Sequence, residues 1–434
     1  MKTNFQLILL GVFIFATIIG VLIFAGILPG FRAPTGGVGG EVMLWGPFSE
    51  QDFEEAFKNF RTAHKADFTL TYVSKDSRTL EAELVDAIAT GKGPDLVLLP
   101  YATAISQANK IAPIPYQSFP LLNYDQTFVP ERNLYYGPDG YLALPIVVDP
   151  LVMYFNQDLL ASGRLAQPPR TWVDLQTAVK NLTIADAQSN VTQSAIALGL
   201  FSNINNAKDI LSLLILQAGN PIVQANESGL DVVLGDTMGY VKAPAEEALA
   251  FFNRFADPTN ALYSWNSSWP EARSAFTRSN LVLYLGLASE YALIRKQNPQ
   301  LNFGVALVPQ LNDRLAQTFG RLIGVSVLSS TKNYSTALSV VGLLTSVEGS
   351  QPLAKLFGLP SARADLLQDI PKDSVATLFN QAAIVSRGWA DPNALATGAI
   401  FKKMVEAVQV RGLTTAEAVK QAEAELANLI RNKK

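Results

Sequence analysis

The chain has 434 residues, with 37 acidic against 34 basic side chains, no cysteine and one histidine. A net charge of −3 argues against nucleic acid as a partner. Zero cysteines exclude disulfides, cysteine nucleophiles and thiolate metal sites, and a lone His64 excludes a two-histidine zinc motif; no metal or cofactor is assigned.

Phe5 to Leu28 is one apolar run of 24 positions, broken only by Gln6 and Thr17. As a helix it extends about 36 Å, enough to cross a hydrocarbon core of ~30 Å. Lys2 before it and no acidic neighbour favour a single-pass anchor with the body on the extracytoplasmic side, although Arg32 beyond it dilutes the bias. A cleaved signal peptide is the competing reading, but such peptides carry a shorter apolar region and an A-x-A-like site. Residues 1–30 are therefore read as a transmembrane anchor. Residues 31–40, with four glycines in the last five positions, form a flexible linker. The remainder is long enough for two domains.

The body opens with an apolar strand, Val42 to Trp45. Ser49 is a helix N-cap with Asp52 three residues on, and Phe53, Phe57 and Phe60 share one helical face. Phe68 to Tyr72 alternates as a strand, and a helix over 79–90 buries Leu80, Leu84 and Ile88 before Gly91 ends it. Asp95 to Leu99 is apolar after its first residue, as in a strand buried on both faces. This succession predicts a doubly wound α/β unit, in which ligands sit beyond the carboxyl ends of the strands. Trp45 and Tyr101 stand at two such ends, as ligand contacts or as aromatics closing the sheet.

Six motifs in order carry a family resemblance. Gly91-Lys-Gly-Pro-Asp95 precedes a strand, and Gly140-Tyr-Leu-Ala-Leu-Pro145 leads through Asp149 to Tyr154-Phe-Asn156-Gln-Asp158. Pro168-Pro-Arg-Thr-Trp172 resembles a P-x-T-W helix start. Phe276-Thr-Arg-Ser279-Asn280 stands where F-x-x-G-K is usual, and Asn302-Phe-Gly-Val-Ala-Leu-Val-Pro309 and Gly358-Leu-Pro360-Ser-Ala-Arg363 follow. Together these resemble bacterial extracytoplasmic solute-binding proteins of the maltose-binding type, the receptors of ABC importers. Two departures stand out: Ser279-Asn280 replaces Gly-Lys, and no cysteine is available for a lipid anchor, for which the N-terminal helix is a substitute.

The resemblance implies a two-lobe periplasmic-binding-protein-like fold of type II, α/β throughout. The first lobe would comprise 41–147 with 310–356 and the second 152–302 with 361–430. Crossings would fall at 147–150, 306–309 and 359–363. The implied function is that of a monomeric receptor delivering a small solute, most simply a sugar or oligosaccharide, to an ABC permease. An anchored carbohydrate-active enzyme or an envelope protein reusing the fold is the alternative.

Candidate ligand residues follow. Asp149 lies in an apolar run where an unpaired carboxylate is costly, so a ligand or a set of backbone amides must satisfy it. Trp269 and Trp389 correspond to aromatic platforms of resembling sugar receptors. Asn203, Asn206 and Asp209 precede an apolar helix, as caps or as partners of sugar hydroxyls. Trp172 is expected in the core, and Trp265 is not favoured as a ligand contact. His64 is expected as a solvated helix-end residue. No G-x-S-x-G, Walker or dinucleotide motif occurs, so no catalytic residue is assigned.

Overall fold

A computed structural model of the chain describes residues 40–431 except 66, 189, 227–228, 312–315 and 369–372. The apolar segment Phe5–Leu28 lies outside the described residues, as does the glycine-rich linker before Gly40. Among the described residues no helix is long and apolar enough to cross a membrane.

Twelve strands are described: β1 (Glu41–Gly46), β2 (Thr69–Ser74), β3 (Leu96–Pro100), β4 (Leu144–Asn156), β5 (Ile184–Ala185), β6 (Val191–Ile196), β7 (Val223–Asn226), β8 (Gly229–Val232), β9 (Leu281–Leu287), β10 (Phe303–Ala306), β11 (Thr318–Val327) and β12 (Ser386–Arg387). Apart from the β7–β8 pair they form one sheet in the order β2-β1-β3-β11-β4-β9-β6-β5, with β10 added to β4 and β12 to β11. The first three strands are parallel and joined by helices, as the sequence predicts. Ser49 Oγ accepts from the Asp52 amide at 3.0 Å and so starts the helix Glu50–His64. Phe53, Phe57 and Phe60 are buried, and Phe53 stacks on Tyr72 of β2 with ring centroids 3.9 Å apart. Gly91, at φ 69°, ends the next helix, Leu80–Ala89, in a conformation that disfavours a Cβ.

β4 lies at the centre. Its first half pairs with β11 and its second half with β9 and β10. The segment 359–363 flanks the first half on the edge away from β11: Val148 donates to the Pro360 carbonyl and Ala362 to the Ile146 carbonyl. Twelve of its thirteen residues are buried. Pro145 lacks an N–H, and beside it the β4–β11 register shifts between Ile323 and Gly324.

Ser279 holds φ 61°, the left-handed conformation that suits the glycine usual at this place in the resembling family. Its hydroxyl accepts from Asn156 Nδ2 at 3.3 Å, which ties the strained turn to the end of β4. His64 differs from expectation. Instead of pointing into solvent it is half-buried between Phe60 and Phe68, with Nε2 3.6 Å from Glu348 on the helix Val347–Phe357.

Trp172 opens the helix Trp172–Leu182 behind a capping box of Thr171 and Asp174, is 5% exposed, and donates Nε1 to Gln217 Oε1 at 2.6 Å. Gln217 in turn donates to the Pro309 and Gln317 carbonyls, so this core contact also fixes the chain between β10 and β11. Trp172→Ala is expected to lower stability by about 3–5 kcal/mol in urea unfolding, as removal of a large core side chain does. A loss under about 1 kcal/mol would show that the site is not packed as described.

Candidate functional site

One group of charged side chains meets beside β4. Asp149 on β4 and Arg321 on β11 are register partners. Asp209, in the first turn of the helix Ala207–Gln217, accepts from Arg321 Nη2 at 2.5 Å. Tyr101 begins the helix after β3, and its phenol feels the charges of Asp391, Asp209, Glu131 and Arg321. Residues from β4, β11, the helix after β3 and the helix Ala207–Gln217 therefore surround one spot. The Arg321 side chain is 46% exposed although its Asp209 partner is 6% exposed, so the spot is reached by water from one side.

The electrostatics follow from this burial. Desolvation pushes the Asp149 carboxyl up from 3.8 to about 6, against the opposing pull of two Ser289 hydrogen bonds and of Arg321. Oδ1 accepts from the Ser289 amide at 2.9 Å and Oδ2 from its hydroxyl at 2.6 Å. Asp209 foremost, then Asp149, holds the Arg321 guanidinium charged and raises its pKa. Burial raises the Tyr101 phenol well above its ordinary value, helped by the neighbouring carboxylates.

Several expected site residues are committed to the fold. Asn203 donates to the carbonyls of Asn266 and Trp269, and its Oδ1 accepts from Trp265 Nε1 at 2.9 Å. Asn206 makes no side-chain cap; it donates to Glu290 at 2.7 Å within a cluster that includes Tyr284 and Arg273. Trp265 is fully buried and stacks on the half-buried Trp269, with centroids 5.4 Å apart. Trp269 keeps a buried Nε1 without a partner.

Trp389 is 2% exposed, stacks on Phe401 at 5.9 Å and donates to Ser212 Oγ at 3.1 Å. In this conformation it offers no free platform and stands as a core residue beside the Lys208–Asp391 ion pair. Trp45 is likewise buried, in one apolar cluster with Tyr101, Leu99 and Val148, with Lys75 Nζ 4.1 Å over its ring. The junction thus unites Tyr101, Asp149 and Asp209, with Asn206 and Trp389 nearby, whereas Asn203, in the segment before the helix Ala207–Gln217, is tied to the Asn266–Trp269 turn that precedes the helix Ala272–Thr277.

Sequence reasoning missed Arg321, Ser289 and Glu131. Arg321 had a signal: it is the only charge in Thr318–Val327. A separate cavity of about 400 Å³ lies behind the 359–363 segment, lined by Leu359, Pro360, Ser361 and Phe379. It lacks the convergent charged groups of the junction. Among the described residues no cluster of His, Asp and Glu is arranged to hold a metal ion.

Comparison with known proteins gives this geometry a setting. The fold matches a cyclo/maltodextrin-binding protein solved with maltotetraose, at TM-score 0.72 and 16% identity over 90% of this chain and 97% of that one. It also matches the GacH receptor of Streptomyces glaucescens, solved unliganded and with acarbose, at TM-score 0.66 and 16% identity over 91% and 100%. The maltose/maltodextrin-binding domain MalE of Bdellovibrio bacteriovorus, bound to maltotriose, aligns at TM-score 0.63 and 15% identity over 90% and 100%. These likenesses define a mixed α/β fold shared with maltodextrin-binding proteins. The family follows from sequence: the model for bacterial extracellular solute-binding proteins matches residues 55–380, and the chain belongs to that family. No curated protein matches it.

Two outcomes are expected here. Asp149 holds its proton to higher pH in the folded than in the unfolded chain, so its stabilising contribution is present below about pH 4 and lost as pH rises through about 6. Asp149→Asn should therefore flatten the pH dependence of unfolding free energy across that window, and an unchanged slope would contradict the burial argument. Trp389→Ala should lower stability by about 3–5 kcal/mol, measured by urea unfolding, whereas an unchanged midpoint would mean that the ring is not packed.

Proposed function

We propose that the chain is a two-lobed receptor that captures an uncharged, hydroxyl-rich solute, a sugar or oligosaccharide, outside the cytoplasm and passes it to an ABC permease. The lobes are 41–147 with 310–356 and 152–302 with 361–430, and the ligand sits between them. In this reading residues 5–28 anchor the receptor, a monomer, in the cell membrane. The observation that carries the ligand class is the junction itself. The water-reachable Arg321 guanidinium and the Tyr101 hydroxyl are donors, and the Asp149 and Asp209 carboxylates are acceptors on the same spot. A hydroxyl both donates and accepts, so a polyol satisfies such a mixed set. An anionic ligand would meet carboxylates that outnumber the one nearby cation with an open face. Membership of an extracellular solute-binding family, and a fold shared with proteins solved with maltotetraose, acarbose and maltotriose, support the same reading.

The test is a thermal-shift screen of the purified full-length chain in detergent against maltotriose, sugar phosphates, glycerophosphodiesters and peptides. A ligand at 100 times its Kd adds about 2.7 kcal/mol of stability, so saccharides should raise the melting temperature. A response to peptides or phosphates alone would overturn the ligand class, and turnover of a bound saccharide would favour a carbohydrate-active enzyme. Arg321→Met should weaken saccharide binding by about 1–3 kcal/mol, the range for truncating a hydrogen bond to a charged group. Trp269→Ala should have a similar effect, its half-buried ring face serving as a further ligand contact, and unchanged binding would remove it from the site. For the anchor, the full-length protein should resist carbonate extraction from membranes, and a mature N-terminus between residues 26 and 41 would contradict it.

A further inference from the structure

Glu131 is buried in the turn Pro130–Tyr135, 2% exposed, and takes no part in the proposed ligand contacts. Its Oε2 accepts from Ser386 Oγ on β12 at 2.7 Å, while Oε1 is buried without a partner. The carboxyl reaches this place because two glycines make room. A Cβ on Gly320 would overlap Ser386 Oγ and come within 2.9 and 3.0 Å of the two carboxyl oxygens, and one on Gly388 would lie 3.2 Å from Oε1. Burial of a carboxyl with an unpaired oxygen is unfavourable when it is ionised and far less so when it is protonated.

The ionisable groups around it do not neutralise it. Arg387 on β12 donates to the Ser386 carbonyl at 2.6 Å. Arg132 on its own turn is held by Asp125 and the Phe128 carbonyl. Arg321, next to Gly320 on β11, is held by Asp209. Tyr101 and Tyr135 are buried phenols. Burial accordingly raises the Glu131 carboxyl from 4.5 to about 7, with Ser386 and then Arg387 pulling against it.

We propose that Glu131 is a proton-operated latch between the turn Pro130–Tyr135 and the segment Ser386–Gly388, protonated while the two are packed together and ionised when they separate. Residue 131 falls in the first lobe and residue 386 in the second, so the latch acts on the closure assumed in the proposed function and rests on that division. A group at about 7 when packed and 4.5 when hydrated makes the packed state about tenfold more favoured at pH 6 than at pH 8. Mild acidity then favours the closed receptor, and rising pH favours release.

Hydrogen–deuterium exchange on the full-length protein at pH 6 and pH 8, corrected for the chemical exchange rate, tests this without any ligand. Protection of 129–136 and 385–390 should fall together about twentyfold in the wild type, about tenfold of it from Glu131. In Glu131→Gln, which keeps the shape of the side chain, it should fall no more than about twofold, the share left to Asp149. Ser386→Ala removes a donor that favours the ionised form and should move the transition to higher pH. Equal protection at both pH values in the wild type, an equal loss in Glu131→Gln, or an unmoved transition in Ser386→Ala would overturn the latch. A failure of saccharides to bind would touch the proposed ligand and leave this result unaffected.

Discussion

The strand Leu144–Asn156 constrains everything else in the molecule. It is buried nearly throughout, and both of its edges are engaged, by β11 and β10 on one side and by the 359–363 segment and β9 on the other. A strand so paired cannot shift register without moving its whole apolar set and breaking ladders on two sides. Pro150, which has no N–H to offer, sits where the partner changes from β11 to β9, and its carbonyl accepts from Ala288. The site inherits this rigidity, because Asp149 is carried by the strand and Ser289 follows the strand's neighbour β9.

That placement explains how so many charges are tolerated indoors. Among the described residues, the buried carboxylates other than Glu131 have a near opposite charge or a set of donors: Asp209 with Arg321, Asp391 with Lys208, Glu290 with Arg273, and Asp149 with the amide and hydroxyl of Ser289. Removing one partner of such a pair strands the other, which is far costlier than the pair's net contribution to stability. Glu131 is the exception, with one oxygen left over, and its chemistry differs for that reason.

Much of the architecture was legible in the residues. The stripe Phe53, Phe57, Phe60, the cap at Ser49 and the apolar Leu96–Leu99 each specify their element through local periodicity and hydrogen bonding, and the structure realises them within a residue or two. The six motifs led to the family that the sequence model matches. Contacts between distant segments were not legible. Asn206 reads as a cap, yet its amide is drawn to Glu290, 84 residues on. Arg321 is visible as a lone charge in an apolar strand, but its partner Asp209 is 112 residues away. Trp389 resembles a platform by position, and only the packing of Ser212 and Phe401 around it reveals a core side chain. Glu131 carries no local signal, because its burial depends on glycines at 320 and 388.

The central claim is that a saccharide held at the Tyr101–Asp149–Arg321 junction draws two lobes together about β4. A ligand shifts such an equilibrium only by its difference in affinity for the two states, and moving it from 1:99 to 99:1 takes about 5.5 kcal/mol. Small-angle scattering of the purified protein, with and without a saturating saccharide of established affinity, measures this directly. The account predicts a smaller radius of gyration in the presence of the saccharide. An identical scattering profile at saturation would contradict it.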